Sequence, residues 1–125
     1  MSFTVLQIPT FSDDRGNLTV LERVLPFNIA RLYWIYGADY KTRGGHRHHR
    51  TRQALISMHG KVSIYMNDGH QQETIELTHP SSCLIVEPKD WHTMTFARDS
   101  MLLVLSSELY NKDDYIDIPY ENTLK

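Results

Sequence analysis

The sequence predicts an all-β fold, an antiparallel sandwich or barrel, in a single domain of residues 1–125. Short apolar runs recur along the chain, and they are rich in Val, Ile, Tyr and Thr, which strands favour. Turn-forming residues such as Asn67-Asp68-Gly69 separate the runs, and many short strands divided by turns are typical of sandwiches and barrels. The predicted strands are 18–24, 29–36, 53–58, 61–66, 74–77, 83–87, 93–97 and 101–106.

Two features predict what lies around this barrel. Residues 101–105 read Met-Leu-Leu-Val-Leu and are apolar on both strand faces, so the outer face needs a cover. A second sheet layer or a second subunit would provide it, and we expect a homodimer. Residues 108–125 alternate charged and aromatic side chains, and Pro119 disfavours a long helix there, which predicts a short C-terminal arm.

Composition limits the classes of function. The net charge is −2, so no global basic character points to a nucleic acid or an anionic membrane. No run approaches the roughly 20 apolar residues that a membrane-spanning helix needs, and residues 1–7 lack the pattern of a signal peptide. The lone Cys83 lies in an apolar run and suits a reducing compartment. We therefore expect a cytoplasmic protein without nucleic-acid or membrane partners.

The most informative stretch is residues 41–52, which holds five basic side chains, three histidines and no acidic residue. In an extended segment alternate side chains share a face, so His46 and His48 are predicted to point the same way. Gly44 and Gly45, directly before them, allow the backbone to turn and to approach a ligand closely.

The order of these residues resembles the first motif of the cupins. Gly45-His46-Arg47-His48 is followed by Gln53, where metal-binding cupins usually carry glutamate, and by Gly60 one strand later. Residues 88–92 resemble the second cupin motif, which supplies another inward histidine, His92. The resemblance implies the cupin fold, a jelly-roll-like double-stranded β-helix, which periodicity alone does not distinguish from other small barrels.

Three uses of the histidines remain open from the residues alone. His46, His48 and His92 would suit a divalent metal, or they would be incidental side chains of a solvated basic loop. The third use is a site without metal or cofactor, in which histidines transfer protons and arginines hold an anion. The neutral amide of Gln53 and the positive charges of Arg43 and Arg47 favour this third use. A phosphorylated or nucleotide-linked substrate fits it best.

Other strands add polar candidates. In the run 29–36, Arg31 and Tyr33 share a face, which is either the site face or an outward one. Trp91, beside His92, would stack on a sugar or base, or it would close the barrel mouth.

Over most of its length the chain resembles the dTDP-sugar 3,4-ketoisomerases. One departure is clear: the family usually reads His-Ala-His-Lys where this chain has His46-Arg47-His48-His49. The pieces that carry the resemblance are residues 14–18, 26–33 and 43–48, Gln53, Asp68-Gly69, Trp91-His92 and residues 110–116.

This resemblance implies a homodimeric isomerase of the intramolecular oxidoreductase type, without metal or cofactor. Its substrate would be a dTDP-linked 4-oxo-6-deoxysugar, dTDP-4-oxo-6-deoxyglucose, and its product the 3-oxo isomer. Such a reaction belongs to the biosynthesis of unusual deoxysugars for O-antigen, lipopolysaccharide or another glycan.

The resemblance also implies residue roles. His46 is the main acid–base residue and His48 its partner, while Tyr33 shuttles or donates a proton. Arg15 and Arg43 hold the diphosphate or an oxyanion. The remaining candidates contact the substrate, and the pair Arg15 and His92 resembles the galacto-producing type. The substrate-binding candidates are Arg15, Arg31, Arg43, Gln53, Trp91 and His92.

Rival functions are a metal-dependent cupin enzyme, a non-catalytic sugar-nucleotide-binding cupin and a dTDP-sugar 3,5-epimerase. Gln53 disfavours the first, and the absence of an attached DNA-binding module in 125 residues weakens the second. The third has the poorer resemblance over the whole chain.

Overall fold

The computed structural model describes residues 3–122 and shows an all-β protein, as the sequence predicts. A 3-10 helix, Lys112–Asp114, lies between the last two strands. The strands in chain order are β1 (Thr4–Gln7), β2 (Thr10–Asp13), β3 (Gly16–Thr19), β4 (Arg31–Ile35), β5 (Thr42–His48), β6 (Gln53–His59), β7 (Val62–Asn67), β8 (Gln72–Leu77), β9 (Ser82–Val86), β10 (Trp91–Phe96), β11 (Met101–Ser106) and β12 (Tyr115–Ile116).

Two five-stranded sheets enclose the core. Sheet I has the order β1-β9-β6-β11-β4, and sheet II has the order β12-β5-β10-β7-β8. The strand pairs of both sheets are antiparallel. Buried apolar side chains of both sheets form one cluster between them. The β2–β3 hairpin forms a separate two-stranded sheet whose residues are all exposed.

Both faces of strand β11 are apolar because each packs against another part of the chain. Leu102 and Val104 lie in the core between the sheets, whereas Leu105 lies in a second cluster on the outer side of sheet I. Leu21, Leu25 and other side chains of the segment after β3 pack on that second cluster. The chain itself therefore covers much of the outer face.

The predicted strand over residues 18–24 is wrong. Strand β3 ends at Thr19, and residues 20–30 carry no strand. Their apolar pattern has another cause, because Leu21 and Leu25 bury against the outer face of sheet I without pairing into it. Strands β1 and β2 lie before residue 18, where the first predicted strand begins, and were not predicted.

The C-terminal arm forms the 3-10 helix and β12, which pairs with the edge of β5. None of the helical structure within residues 3–122 has the length and apolar character to cross a membrane.

Candidate active site

His46, His48 and His92 lie together at one end of the space between the sheets. His46 and His48 alternate along β5, and His92 at the start of β10 pairs directly with His46. The ring centroid of His46 lies 4.9 Å from that of His48 and 5.0 Å from that of His92, and the other two are 6.0 Å apart. His48 and His92 are each 1% exposed. The structure therefore gathers the three predicted histidines into one buried cluster.

A β-bulge places Arg43 on the same side as these histidines. Gly45 has no partner in the β5–β10 ladder, and both Gly44 and Gly45 have positive φ, +86° and +84°. A Cβ on Gly44 would lie 3.0 Å from a backbone oxygen of β10, so the close approach of the strands requires glycine. Arg43 pairs with Met94, whose side chain lies in the inter-sheet core. Paired residues share a face, and Arg43 is thus directed toward the side of His46.

Sheet I contributes Tyr33 and Gln53 from the opposite side. The amide nitrogen of Gln53 donates to the Tyr33 hydroxyl at 3.4 Å and to Ser106 Oγ at 3.2 Å. Gln53 is 2% exposed and Ser106 is fully buried. The side chain that sequence reasoning assigned to the sugar therefore supports the Tyr33 hydroxyl in this structure.

Arg31 lies beside Tyr33 and faces the site. Its guanidinium carbon is 4.5 Å from the ring centroid of Tyr33 and 5.4 Å from that of Tyr110. Among the described residues Arg31 has no carboxylate within ion-pair distance. Arginine presents five N–H donors in a planar fork, so Arg31 is held by aromatic rings and has donors free for an anion.

Tyr115 is a member of the cluster that sequence reasoning missed. It pairs with His48 across β12 and β5. Its ring centroid lies 4.8 Å from that of His46 and 4.6 Å from that of His48. The only sequence signal was its place in the segment 110–116 that carried the family resemblance, because a two-residue strand has no periodicity to read.

The environment holds the three histidines and Tyr33 uncharged at neutral pH. Burial lowers the pKa of His48 to about 4 and that of His92 to about 3, and a positive charge on His46 would oppose the protonation of both. Burial also lowers the pKa of His46. Burial, and then the neighbouring Tyr115, raise the pKa of Tyr33. The site thus combines neutral imidazoles, which accept protons, with a protonated phenol, which donates one.

The loop after β5 is fixed by a buried carboxylate, Asp114. One oxygen of Asp114 accepts the backbone N–H of Arg50 at 2.8 Å, and the other accepts the N–H of Thr51 at 3.2 Å and the Thr51 hydroxyl. Burial alone would raise the pKa of Asp114, but these hydrogen bonds lower it. Arg50 Nε also lies 3.9 Å from the carboxylate. The carboxylate ties the end of β5 to the start of β12.

The remaining predicted residues lie elsewhere. Arg15 is on the exposed β2–β3 hairpin, where its guanidinium pairs with Asp13 at 2.6 Å, and it makes no hydrogen bond or ion pair with a site residue in the described chain. Trp91 is 7% exposed and lies close to Gly45. Because Trp91 precedes the inward-facing His92 on β10, its ring lies on the opposite face of the strand and presents little free surface.

The two departures from the family pattern lie outside the histidine cluster. Arg47 alternates with His46 and His48, so its side chain leaves the opposite face of β5. It stacks over Tyr120 at 3.9 Å and donates to a backbone oxygen of the C-terminal arm. His49 is exposed, and its ring nitrogen lies 3.1 Å from Lys89 Nζ.

The donor set offers little to a resident metal. Within residues 3–122 no group of three or more His, Cys, Asp or Glu side chains has the arrangement of a metal site. Gln53, at the position of the usual glutamate, uses its amide nitrogen on Tyr33 and Ser106. We therefore derive no step through a metal.

The known proteins most similar in sequence among the matches are named as 3,4-ketoisomerases or 3,4-oxoisomerases. A family model described as "FdtA: WxcM-like, C-terminal" matches residues 1–122. The TDP-4-oxo-6-deoxy-alpha-D-glucose-3,4-oxoisomerase of Aneurinibacillus thermoaerophilus is 33% identical, over 100% of this chain and 92% of that protein. Among solved structures, a double mutant of the QdtA 3,4-ketoisomerase from Thermoanaerobacterium thermosaccharolyticum, in complex with TDP, is 38% identical with a TM-score of 0.89 and coverage of 93% and 87%. The WlaRB TDP-quinovose 3,4-ketoisomerase of Campylobacter jejuni is 36% identical with a TM-score of 0.89 and coverage of 94% and 93%.

Proposed function

The chain belongs to the WxcM-like, C-terminal family of isomerases, and we propose that it converts dTDP-4-oxo-6-deoxy-D-glucose to a dTDP-3-oxo-6-deoxyhexose. The observation that carries this proposal is the convergence of two sheets on one site. Sheet II brings neutral imidazoles. Sheet I brings a protonated phenol and, beside it, an arginine that has no ion pair among the described residues. A keto-sugar isomerisation needs this combination of a base, an acid and a cation.

The reaction moves one hydrogen from C3 to C4 of the sugar. The C4 carbonyl acidifies the proton on C3, and His46 removes it as a neutral base. The C3–H electron pair then forms the C3–C4 double bond of an enediolate, whose charge Tyr33 and Arg31 stabilise at O4. His48 carries the proton of O3 to O4, the protonated His46 is the source of the proton that C4 takes up, and the carbonyl reforms at C3. No external oxidant or cofactor is needed, since the net change is internal.

Substrate binding is assigned to the cationic and packed side chains around the cluster. Arg43 lies on the histidine side of β5, where its fork would pair with the diphosphate. Gln53 acts through Tyr33, whose hydroxyl it contacts. Trp91 packs beside Gly45 from the other face of β10, so we assign it support of the bulge and not a substrate contact.

We infer a galacto configuration at C4 of the product. The support is the pair Arg15 and His92, which resembles the galacto-producing members. His92 is buried with its ring 5.0 Å from that of His46, so it lies close enough to affect the face on which C4 receives its proton.

A homodimer is proposed from the exposed apolar surface. Leu32 and Trp34 on the outer side of β4 are 49% and 55% exposed, and Phe11 and Leu18 of the hairpin are 65% and 59% exposed. Contact between such surfaces of two copies would bury them. Because Arg15 lies on the same hairpin, we assign its substrate contact to the site of the partner subunit.

Mixed dimers test this assignment of Arg15. The substitutions Arg15→Ala and His46→Asn should each lower or abolish turnover. The two purified variants are unfolded, mixed and refolded together. If Arg15 acts on the partner's site, the heterodimer regains one intact site and activity returns. Mixtures that stay as inactive as the separate variants would place Arg15 outside the partner's site. Light scattering after size-exclusion chromatography checks that a dimer forms.

We propose that the reaction takes place in the cytoplasm. It would supply an unusual deoxysugar for O-antigen, lipopolysaccharide or another glycan. The 3-oxo product would serve an enzyme that acts on a ketone at C3.

The test is direct turnover in deuterated water, followed by NMR of the sugar. We expect deuterium at the carbon that receives the proton, a 3-oxo product of galacto configuration, and no loss of rate with EDTA. A gluco product would overturn the stereochemical assignment alone. Absence of both exchange and product with this substrate would overturn the proposed function.

A further inference from the structure

The two buried histidines differ in how their rings are held. His92 has a hydrogen-bond partner, since its Nδ1 lies 3.2 Å from the backbone oxygen of Asp90. His48 is equally buried, yet neither of its ring nitrogens has a hydrogen-bond partner in the described chain. The hydrogen bond on one nitrogen normally fixes the tautomer and the orientation of a working imidazole. Within the described chain, the ring of His48 is therefore held by packing contacts.

The ring of Tyr115 is placed to do this. It meets the His48 ring nearly edge-on, with centroids 4.6 Å apart and an interplanar angle of 68°. It also contacts the ring of His46, at 4.8 Å and 59°. Both distances lie in the range of favourable aromatic pairs. One side chain therefore packs against both of the histidines to which the proposed reaction assigns proton transfer.

Tyr115 is itself fixed from two directions. It pairs with His48 across the β12–β5 ladder, so its ring leaves the sheet on the face of the imidazoles. The residue before it, Asp114, is bonded to the backbone N–H groups of Arg50 and Thr51 just beyond β5. A ring held in this way can restrain other rings.

We propose that Tyr115 is a positioning residue, whose ring orients His46 and His48 through aromatic contacts and which Asp114 holds in register with β5. This inference rests on the proposed function, because it assigns a purpose to the orientation of those two imidazoles. It concerns the ring of Tyr115 and not its hydroxyl group.

Three variants separate the possible roles. Tyr115→Leu removes the ring and Tyr115→Phe keeps it. Tyr120→Leu removes a ring from the same arm, at a place where Tyr120 packs on Gly69 and Arg47 and donates to Lys89. Each is assayed for kcat and KM well below its unfolding temperature. Carbon-13 and nitrogen-15 spectra of labelled histidine report the tautomer and the exchange broadening of each imidazole.

We expect kcat of Tyr115→Leu to fall by about 10-fold to 100-fold with KM little changed, since a misplacement of about 1 Å can cost a factor of 100. The His48 signals should broaden or show mixed tautomers in this variant. Tyr115→Phe should restore both kcat and sharp imidazole signals, and Tyr120→Leu should resemble the wild type.

Two results would overturn the inference: wild-type kcat and imidazole spectra in Tyr115→Leu, or a loss in Tyr115→Phe as large as in Tyr115→Leu, which would point to the hydroxyl. Failure of the proposed function is distinct from both. In that case the wild type itself would not turn over the sugar, while the histidine spectra would still report whether Tyr115 orders the rings.

Discussion

The two ends of the space between the sheets are built from the same strands but are filled differently. At one end Phe96, Val62 and Leu102 are at most 1% exposed and pack as an apolar core. At the other end the same depth of burial is given to His48 and His92. A buried polar atom without a partner costs about 1–3 kcal/mol, whereas burying a large apolar side chain stabilises the fold by roughly 1.5–3 kcal/mol. The apolar end therefore stabilises the fold, and the histidine end is the part that lowers its stability.

The largest effect is expected at the histidine end, on activity alone. His46→Asn removes the proposed base, and turnover should fall by about 10²-fold to 10⁴-fold, the usual contribution of general acid–base catalysis. The melting temperature should stay close to that of the wild type. His49→Asn, on the exposed neighbour, is the matched control and should remain active. An active His46→Asn would remove His46 from the mechanism.

The reverse effect is expected at the apolar end. Phe96→Ala leaves a cavity and should cost about 3–5 kcal/mol in the free energy of unfolding, measured with urea. The folded fraction should keep its turnover per site. Leu109→Ala, at a position that is 71% exposed, should change stability by no more than about 0.5 kcal/mol. If Phe96→Ala does not fold, Phe96→Leu leaves a smaller cavity and can be measured in its place. Wild-type stability in these variants would contradict the conclusion that the apolar end stabilises the fold.

The pH dependence of stability should also reflect the uncharged state of the buried histidines. The pKa values of His48 and His92, about 4 and about 3, lie below the ordinary 6.5, so the unfolded chain binds these protons first as the pH falls. Asp90 acts in the opposite sense because burial raises its pKa to about 6. On unfolding in this pH range the two histidines take up two protons, whereas Asp90 releases one. Stability should therefore fall as the pH is lowered from 6.5 to 4, by on the order of 1 kcal/mol per pH unit. Urea titrations at several pH values measure this slope, and a flat profile would contradict the buried neutral histidines.

The smallest effects come from a matched pair of buried serines. Ser106 accepts from Gln53 at the histidine end, and Ser57 donates to the backbone oxygen of Gly60 at the other. Ser106→Ala and Ser57→Ala should each cost about 1 kcal/mol of stability. Only Ser106→Ala should also lower turnover, because it loosens the amide that supports Tyr33. Equal turnover in the two variants would argue against a supporting role for Gln53.

Most of the fold was readable from the sequence, because strands that bury one or both faces carry a clear apolar pattern. Strand β11 was predicted at its observed bounds, and six other strands lie within two residues of theirs at each end. The segment 18–24 shows the limit of that pattern. Leu21 and Leu25 are apolar because they cover sheet I, and periodicity does not distinguish a covering segment from a strand.

The site was predictable only in part, for a similar reason. Local sequence gives His46 and His48 one common face and Arg31 and Tyr33 another, and the two cupin motifs supplied Gln53 and His92. Neither showed that Gln53 would contact Tyr33, or that Arg31 would be held between two tyrosine rings. These contacts join residues far apart in sequence, and they depend on how the two sheets face each other.

The sequence by itself determined the all-β class, the histidine motif and membership in a family of isomerases, since these depend on local pattern and on motifs in order. Tertiary structure alone decided that the bulge at Gly45 turns Arg43 toward the histidines, that burial keeps His48 and His92 neutral, and that Tyr115 lies against two imidazoles. The physical reason is that burial and strand register are properties of the assembled sheets. No local segment of the chain encodes the depth at which its side chains will lie, or the residue that will face them across a strand pair.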